Sequence, residues 1–479
     1  MNRSAKSRVG GLSSGDALRA TLIISFFAIF QIACQLLLMV ETLGSMRVVM
    51  RSIVFLVSIG LLIFLPGREQ SHPAKPWMLA ALIVVALSIF RSDTNSSIAG
   101  IAHFLLYVAI AAPIFWVTRL QITEAGFRNV VMCLWAFHIA SAAVGVLQMH
   151  YPGRFQPGVS AAVRSAGELQ EGLKIRLADG TQVWRPMGLT DTPGGAAGAG
   201  LYAIVFSLGM YLQNRMGLIR LLSVMGFGVG FFCLYMGQIR SLLVMAVICV
   251  GVLIAILSRR GELGRYFELA ILLPFMAVLS FFWAARIGGQ DTVDRMSSIV
   301  KDGRVDEVYQ QNRGHFLTHT VTELLPEFPL GAGLGRWGMM RGYFGDESNL
   351  NSPMIWVEIQ WTGWLLDGGI PLIVFYSTAI GVTTIMCYRI AVSRRLGRVS
   401  LWGALLFSLN IASVALLFNY PLFIGQGGME FWFLNASLYM MVVTSERTMR
   451  AAKAAAAANA AHMRTRAQSQ PAESMAHVG

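Results

Sequence analysis

Charged side chains are scarce in this chain: Asp, Glu, Lys and Arg make up only 13% of its 479 residues. Soluble domains carry about 25% charged residues, so the composition excludes an ordinary soluble protein. With 55% hydrophobic residues and a mean hydropathy of +0.59, it predicts an integral membrane protein. The formal net charge is +13, but no RNA- or DNA-binding motif accompanies it, so nucleic acid is not an expected partner.

Cysteine is scarce as well. All of the cysteines lie within apolar runs and show no paired spacing, so neither disulfides nor a metal site are predicted. They are Cys34, Cys133, Cys233, Cys249 and Cys387. The sequence also lacks a His-Glu-x-x-His motif, an Asp-x-Asp motif and any Ser/His/Asp arrangement. We therefore expect metal-independent chemistry without a cofactor.

What the chain does contain is a series of long apolar runs, which predict an all-α polytopic membrane protein of about twelve transmembrane helices. A span needs about 20 apolar residues, and the third run is short for this. The predicted spans lie near 18–40, 49–65, 77–90, 98–118, 128–148, 194–213, 218–236, 241–258, 264–285, 370–391, 401–419 and 425–444.

The distribution of Arg and Lys predicts the orientation. Basic residues concentrate in alternate connections, which favours cytoplasmic tails at 1–17 and 446–479. The polar loops 149–190 and 286–353 then both lie on the periplasmic side, and a re-entrant segment precedes the last three spans within 354–445. The pseudo-symmetric halves that are typical of many transporters are not found.

The two polar loops contain predicted elements of their own. Alternating residues around Asp179-Gly180 predict a β-hairpin over 174–184. An amphipathic helix is predicted over 308–325, lying along the membrane surface. The glycines of 331–335 predict a tight turn between outer helices, because no strand–helix unit of a nucleotide-binding site surrounds them.

Two arginines stand at the outer entrances of spans: Arg185 in a Trp-Arg-Pro-Met-Gly sequence and Arg240 in Gln-Ile-Arg-Ser. A guanidinium at the lipid boundary is costly unless it is paired or faces water. Its planar donors suit phosphate, so together the two arginines predict a site for a lipid-linked pyrophosphate. The alternative is that both side chains snorkel to anchor helix ends.

Glu358 is the predicted catalytic acid–base residue. It is placed on an aromatic-rich helix re-entering the membrane, where desolvation would make it a better base. The alternative is a structural ion pair with an arginine. Arg313, Arg336, His315 and His319 are predicted to contact substrate from the second polar loop.

These motifs, in this order, resemble the O-antigen polymerase/O-antigen ligase superfamily of bacterial membrane glycosyltransferases. Arg185-Pro-x-Gly188 followed by Pro193 resembles the arginine motif of the family, and Gln238–Ser241 resembles its Ser-Arg motif. The third part is Arg313, then the Gly-rich 329–335 stretch, then Glu358 to Gly369. The resemblance covers most of residues 20–445.

The resemblance implies a GT-C-like fold in which two periplasmic loops cap the site. The implied reaction transfers a glycan from undecaprenyl pyrophosphate to an acceptor hydroxyl, without metal, at the bacterial inner membrane. Arg185 and Arg240 would neutralise the departing pyrophosphate. Membrane lipids are implied partners, as is a possible chain-length regulator.

One departure from the family pattern helps to distinguish a polymerase from a ligase. Ligases carry His followed by Asn before the last Gly-rich turn, and here Glu358 stands in that position, eleven residues before Gly369. This favours a repeat-unit polymerase for O-antigen, capsule or exopolysaccharide. The alternatives are a ligase transferring glycan to lipid A core or to protein and, less favoured, a lipid-linked glycan transporter.

Overall fold

The computed structural model describes residues 14–40, 46–159, 171–214, 217–298, 307 and 309–468. This part of the chain is an all-α polytopic membrane protein. Its main helices are α1 Ser14–Leu37, α2 Arg47–Phe64, α3 Lys75–Ser88, α4 Ser97–Ala111, α5 Glu124–His150, α6 Gly195–Gln213, α7 Leu218–Gly237, α8 Arg240–Arg259, α9 Leu263–Ser297, α10 Gly338–Phe344, α11 Gln360–Val392, α12 Val399–Leu416 and α13 Gln426–Gln468.

Ten of the described helical segments are long and apolar enough to cross a membrane. One of them is α4 together with its continuation through Pro113–Trp116 and the 3-10 turn Val117–Arg119. Two predicted spans are not among the ten. They coincide with α3, an apolar helix of only 14 residues, and with the first half of α13, where Glu430 and Asn435 interrupt the apolar run.

Successive helices place their ends alternately at two ends of the bundle. At one end the carboxyl termini of α2 and α4 meet, since Arg119 Nη1 donates to Leu62 O at 2.7 Å and to Leu65 O at 2.9 Å. The carboxyl termini of α8 and α11 meet at the same end, where Arg260 Nη1 donates to Ala391 O at 2.8 Å. We call this the arginine end. The opposite end carries the β-hairpin and is called the hairpin end.

The α6 helix lies in the middle of the bundle, with almost every residue buried. It packs closely against α7: a Cβ atom on Gly200 would lie 2.6 Å from Gly230 O, and one on Gly230 would lie 2.7 Å from Gly200 O. Small residues at such a crossing allow two helix backbones to approach within van der Waals contact of each other. Any larger side chain here would separate α6 from α7.

The predicted hairpin is confirmed. Strands β1 (Lys174–Arg176) and β2 (Gln182–Trp184) pair antiparallel, with Ile175 opposite Val183. The hairpin rests on α9, because Ala178 N donates to Ile287 O at 2.8 Å. The contact is made at a kink in α9, at Gly289, which has φ 61°.

Three boundaries differ from those predicted from the sequence. The ninth span does not stop near 285, because α9 continues beyond its kink to Ser297. A run of π- and α-helical turns covers 310–327, ending slightly later than predicted. Last, α11 begins at Gln360 and continues through a kink at Gly369, so the re-entrant segment and the tenth span form one bent helix.

The predicted tails lie partly outside the described residues. Of the N-terminal tail, residues 1–13 are not described, and α1 begins within it at Ser14. The C-terminal tail is helical as far as Gln468, because α13 continues to that residue. Residues 469–479 lie outside the described part of the chain.

Candidate functional site: an arginine cluster beside two cavities

Arg185 and Arg240 both lie at the hairpin end, on segments that meet at Gly194. Arg185 directly follows β2, and its backbone N–H donates to Leu173 O at 3.0 Å, which extends the hairpin pairing. Arg240 is the first residue of α8. Gly194 links the two, because a Cβ atom there would lie 3.1 Å from Ile239 Cδ1 and 3.9 Å from Arg185 Cδ.

The turn before Arg240 has an unusual backbone. Gln238 has φ 52° and ψ 27°, the left-handed conformation that few non-glycine residues adopt. This conformation ends α7 and lets α8 begin only two residues later, at Arg240. Backbone of this kind costs on the order of 1–3 kcal/mol and is concentrated at functional sites. The turn therefore places the Arg240 guanidinium at the helix entrance at some cost in stability.

A third guanidinium belongs to this cluster. Burial and the nearby positive charge of Arg295 both lower the pKa of Arg185, and Arg295 also acts electrostatically on Arg240. Arg295 lies in the part of α9 beyond the Gly289 kink. The hairpin and α9 are in contact, so the contact that supports Arg185 also brings Arg295 close.

The cluster has unused hydrogen-bond donors. The Nε atoms of Arg185 and Arg240 are buried, and the described part of the chain provides neither with a hydrogen-bond partner. A buried donor without a partner costs about 1–3 kcal/mol, more when the group is charged. Like charges brought together add repulsion. An anion bound among these three side chains would remove both costs.

Glu358 is placed differently from the prediction. It lies in an irregular segment two residues before α11, so the prediction that it is on a helix is wrong. Arg313 Nη1 donates to Glu358 Oε2, and Trp356 Nε1 donates to Oε1 at 2.7 Å. The arginine ion pair that the sequence left open as an alternative is therefore present, and its members are Glu358 and Arg313.

The other predicted contacts fall into two groups. Arg336 is only 6% exposed; its Nη1 donates to Ala332 O, and its guanidinium lies 5.6 Å from the centre of the Phe328 ring. It fixes the Gly-rich turn from inside. His315 and His319 are both exposed, and His319 Nδ1 lies 3.0 Å from a carboxylate oxygen of Glu323 in the next helical turn.

Sequence reasoning missed a buried polar network around Asp367. This carboxylate is fully buried and accepts hydrogen bonds from Tyr107 Oη (2.7 Å) and Trp337 Nε1 (2.9 Å). His103 Nε2 lies 3.4 Å from it, while His103 Nδ1 accepts from Gly335 N at 3.3 Å. Asp367 precedes two glycines in a long apolar run, and an acid in such a run was the available signal.

The network fixes the Gly-rich turn against α4 and α11. Gly333 shows how tightly the turn fits: it has φ 82°, and a Cβ atom there would lie 2.5 Å from Thr94 N. The turn therefore has a packing role at the hairpin end, in agreement with the predicted tight turn at 331–335. It also begins the segment that leads through Ile355 to Glu358, since Ile355 N donates to Arg336 O at 2.9 Å.

Two adjoining cavities of about 340 Å³ each lie at the same end, beside the 190–195 turn. They share the lining residues Gln31, Gln35, Thr190, Gly195, Tyr420 and Gln426. One extends to Arg51 and Asp191, which form an ion pair (2.9 Å) with Asp191 buried; we call it the Arg51 cavity. The other extends to Glu430 and is called the Glu430 cavity.

The polar contacts of Glu358 do not include the arginine cluster. Within the described ranges, no hydrogen bond or ion pair joins Glu358 to Arg185 or Arg240. The connector between α12 and α13 contacts both regions: Gln360 N, two residues after Glu358, donates to Leu417 O at 3.0 Å, while Tyr420 lines both cavities. The structure thus brings both arginines near Arg295 and pairs Glu358 with Arg313 instead.

Comparison with known proteins adds no family assignment. No protein-family model matches the chain, and no curated protein matches it significantly. The family resemblance therefore depends only on the motifs of the sequence itself.

Proposed function

We propose that the protein is a polysaccharide repeat-unit polymerase, a metal-independent glycosyltransferase that uses a glycan carried on undecaprenyl pyrophosphate. The observation that carries the proposal is that Arg185 and the Ile239–Arg240 turn meet at Gly194, with both arginines near Arg295 and their buried Nε donors unused. The ordered family motifs of the sequence support it. They, and not the shape of the helix bundle, are the basis for expecting a GT-C-like architecture.

The topology that accompanies this proposal has twelve spans, with α3 and the first half of α13 crossing the membrane as well. Both chain ends are then cytoplasmic, the arginine end faces the cytoplasm and the hairpin end faces the periplasm. This orientation agrees with the excess of basic residues in the connections at the arginine end. The arginine cluster would then lie at the depth of a lipid headgroup, where a polyprenyl pyrophosphate is accessible.

In the proposed reaction, the acceptor hydroxyl attacks the anomeric carbon of the donor sugar. The bond from that carbon to the pyrophosphate oxygen breaks, and the electron pair leaves with the pyrophosphate. The guanidinium groups of Arg185 and Arg240 stabilise the charge that develops there. Removing one such donor commonly costs about 10²–10³ in rate, or about 2.7–4 kcal/mol.

Glu358 remains the proposed acceptor of the hydroxyl proton. Its contacts with Arg313 and Trp356 hold both oxygens in place. An ionised carboxylate has about four acceptor sites, so a third donor, the acceptor hydroxyl, can still bind. This role requires the acceptor to reach from Glu358 to the pyrophosphate held at the cluster.

The test is to replace Arg185 or Arg240 with Ala in cells that lack their own copy of the gene. We expect long glycan to disappear while the protein level stays normal and the undecaprenyl-linked single repeat accumulates. Arg176→Ala is the matched control, because Arg176 is exposed on β1 of the same hairpin. Normal glycan length in both cluster variants would overturn the proposal. Loss of glycan transfer to lipid A core, with chain length preserved, would indicate a ligase instead.

The same assay separates the two roles of Glu358. Glu358→Gln is expected to stop polymerisation while the protein still binds the donor. The double variant Arg313→Gln with Glu358→Gln allows a neutral hydrogen bond across the contact but provides no carboxylate to act as a base. Recovery of activity in this double variant would show that the contact is structural and would remove Glu358 as the base.

A further inference from the structure

Glu430 is a carboxylate without a counter-charge among the described residues that line its cavity. It lies one turn into α13, its Oε1 atom is buried, and the described residues give that atom no hydrogen-bond partner. Among the described residues that line its cavity there is neither Lys nor Arg. An ionisable group in such a position is costly, and its retention points to a function.

The other groups that face this cavity suit an uncharged, hydroxyl-bearing ligand. Gln31, Gln35 and Gln426 provide amides, which both donate and accept hydrogen bonds. Gln426 Nε2 donates to Gln31 Oε1 at 3.2 Å, which leaves the Gln31 amide nitrogen available. A lining of amides and a carboxylate, without fixed positive charge, offers partners for several hydroxyl groups at once.

Aromatic rings complete the wall. His138 stacks on Tyr202 with ring centres 4.9 Å apart, and the Nδ1 atom of His138 is buried without a partner in the described chain. A negative charge on Glu430 would act electrostatically on the Tyr202 hydroxyl. The combination of ring faces with hydrogen-bonding groups matches a sugar ring, which has apolar C–H faces and polar edges. The volume, about 340 Å³, is at the lower end of the roughly 300–1,000 Å³ range of small-molecule sites.

The position of the cavity relates it to the arginine cluster. Thr190 and Gly195 line the cavity, while Gly194, the neighbour of Gly195, packs against Arg185 and Ile239. The 190–195 turn therefore has the cluster on one side and the cavity on the other. A ligand in the cavity would lie next to whatever anion the cluster holds.

We propose that the Glu430 cavity is a carbohydrate-binding site, in which Glu430 binds the hydroxyl groups of a sugar ring. Its identification as the acceptor sugar of the polymerase rests on the function proposed above. Binding itself does not, because it follows from the cavity alone. Glu430 is here a binding residue, and no proton transfer is assigned to it.

The experiment uses the full-length protein in lipid nanodiscs. The probe is the water-soluble oligosaccharide released by mild acid from the polymer of cells that carry the gene, and binding is followed by saturation-transfer difference NMR. We expect wild type to bind, Glu430→Ala to bind at least ten-fold more weakly and Glu430→Gln to lose several-fold. Glu446→Gln, on the exposed part of the same helix, should bind like wild type. If Glu430→Ala does not fold, the isosteric Glu430→Gln variant decides.

Two results would overturn the inference: no binding by wild type, or equal binding by wild type and the Glu430 variants. The outcome is independent of the arginine test. If Arg185→Ala stops polymer synthesis but the Glu430 variants bind the oligosaccharide like wild type, the proposed function is supported and the cavity site is excluded. If binding depends on Glu430 but the arginine variants make normal polymer, the cavity site stands and the polymerase mechanism falls.

Discussion

The buried network around Asp367 gives a quantitative prediction about stability. Replacing Asp367 with Ala removes the acceptor of two buried donors, Tyr107 Oη and Trp337 Nε1. Leaving a buried donor without a partner costs about 1–3 kcal/mol, so the two together cost about 2–6 kcal/mol. Since the side chain is fully buried, water cannot replace the lost acceptor.

Asp367→Asn should cost less than Asp367→Ala. The amide oxygen can still accept from Trp337 Nε1, and the amide nitrogen can donate to Tyr107, whose hydroxyl can turn to accept. We expect a loss of about 1–2 kcal/mol, because neutral hydrogen bonds are weaker than those to a charged group. The order of stability should be wild type, then Asn, then Ala.

The assay is thermal unfolding of the protein in detergent, followed by intrinsic tryptophan fluorescence. A chain longer than 250 residues loses about 2 °C or less in Tm per kcal/mol, so Asp367→Ala should lower Tm by up to about 12 °C. Tyr107→Phe and Trp337→Phe, alone and combined, form a double-mutant cycle that measures their coupling through the carboxylate. An unchanged Tm in Asp367→Ala would refute the reasoning, as would strict additivity in the cycle.

Two further predictions concern the backbone and pH. Gly333→Ala should be destabilising, because a side chain at φ 82° would meet the Thr94 backbone. Gly342→Ala should be nearly neutral, because no atom lies within 4 Å of the added Cβ. Equal Tm values for the two variants would contradict this prediction. Burial lowers the pKa of His72 to about 4, against about 6.5 for an unfolded chain. As the pH is lowered, the imidazole of the unfolded state therefore binds a proton before that of the folded state does. The free energy of unfolding should have its full value above pH 6.5 and fall by about 3 kcal/mol towards pH 4. His72→Asn should flatten this part of the profile, and an identical slope in the variant would exclude His72 as its cause.

The sequence by itself determined the membrane class and the approximate positions of the helices. This was possible because lipid requires every backbone polar group to be satisfied within a helix or a barrel, so long apolar runs have few alternatives. The hairpin around Asp179-Gly180 and the helical character of 310–327 were also predictable, since local turn chemistry and periodicity fix them. Arg185 and Arg240 both lie near Arg295, and that the two share a pyrophosphate site stays a prediction.

Only the tertiary structure decided which side chains meet across the bundle. Glu358 proved to face Arg313, and Arg295 proved to lie near Arg185, because the bend of α9 and the start of α11 depend on contacts with distant segments. The Asp367 network and the described surroundings of Glu430 likewise depend on which faces of α4, α5, α6, α11 and α13 pack together. Hydrophobic periodicity gives no such information in a bundle this apolar, where helices present nonpolar residues on all sides.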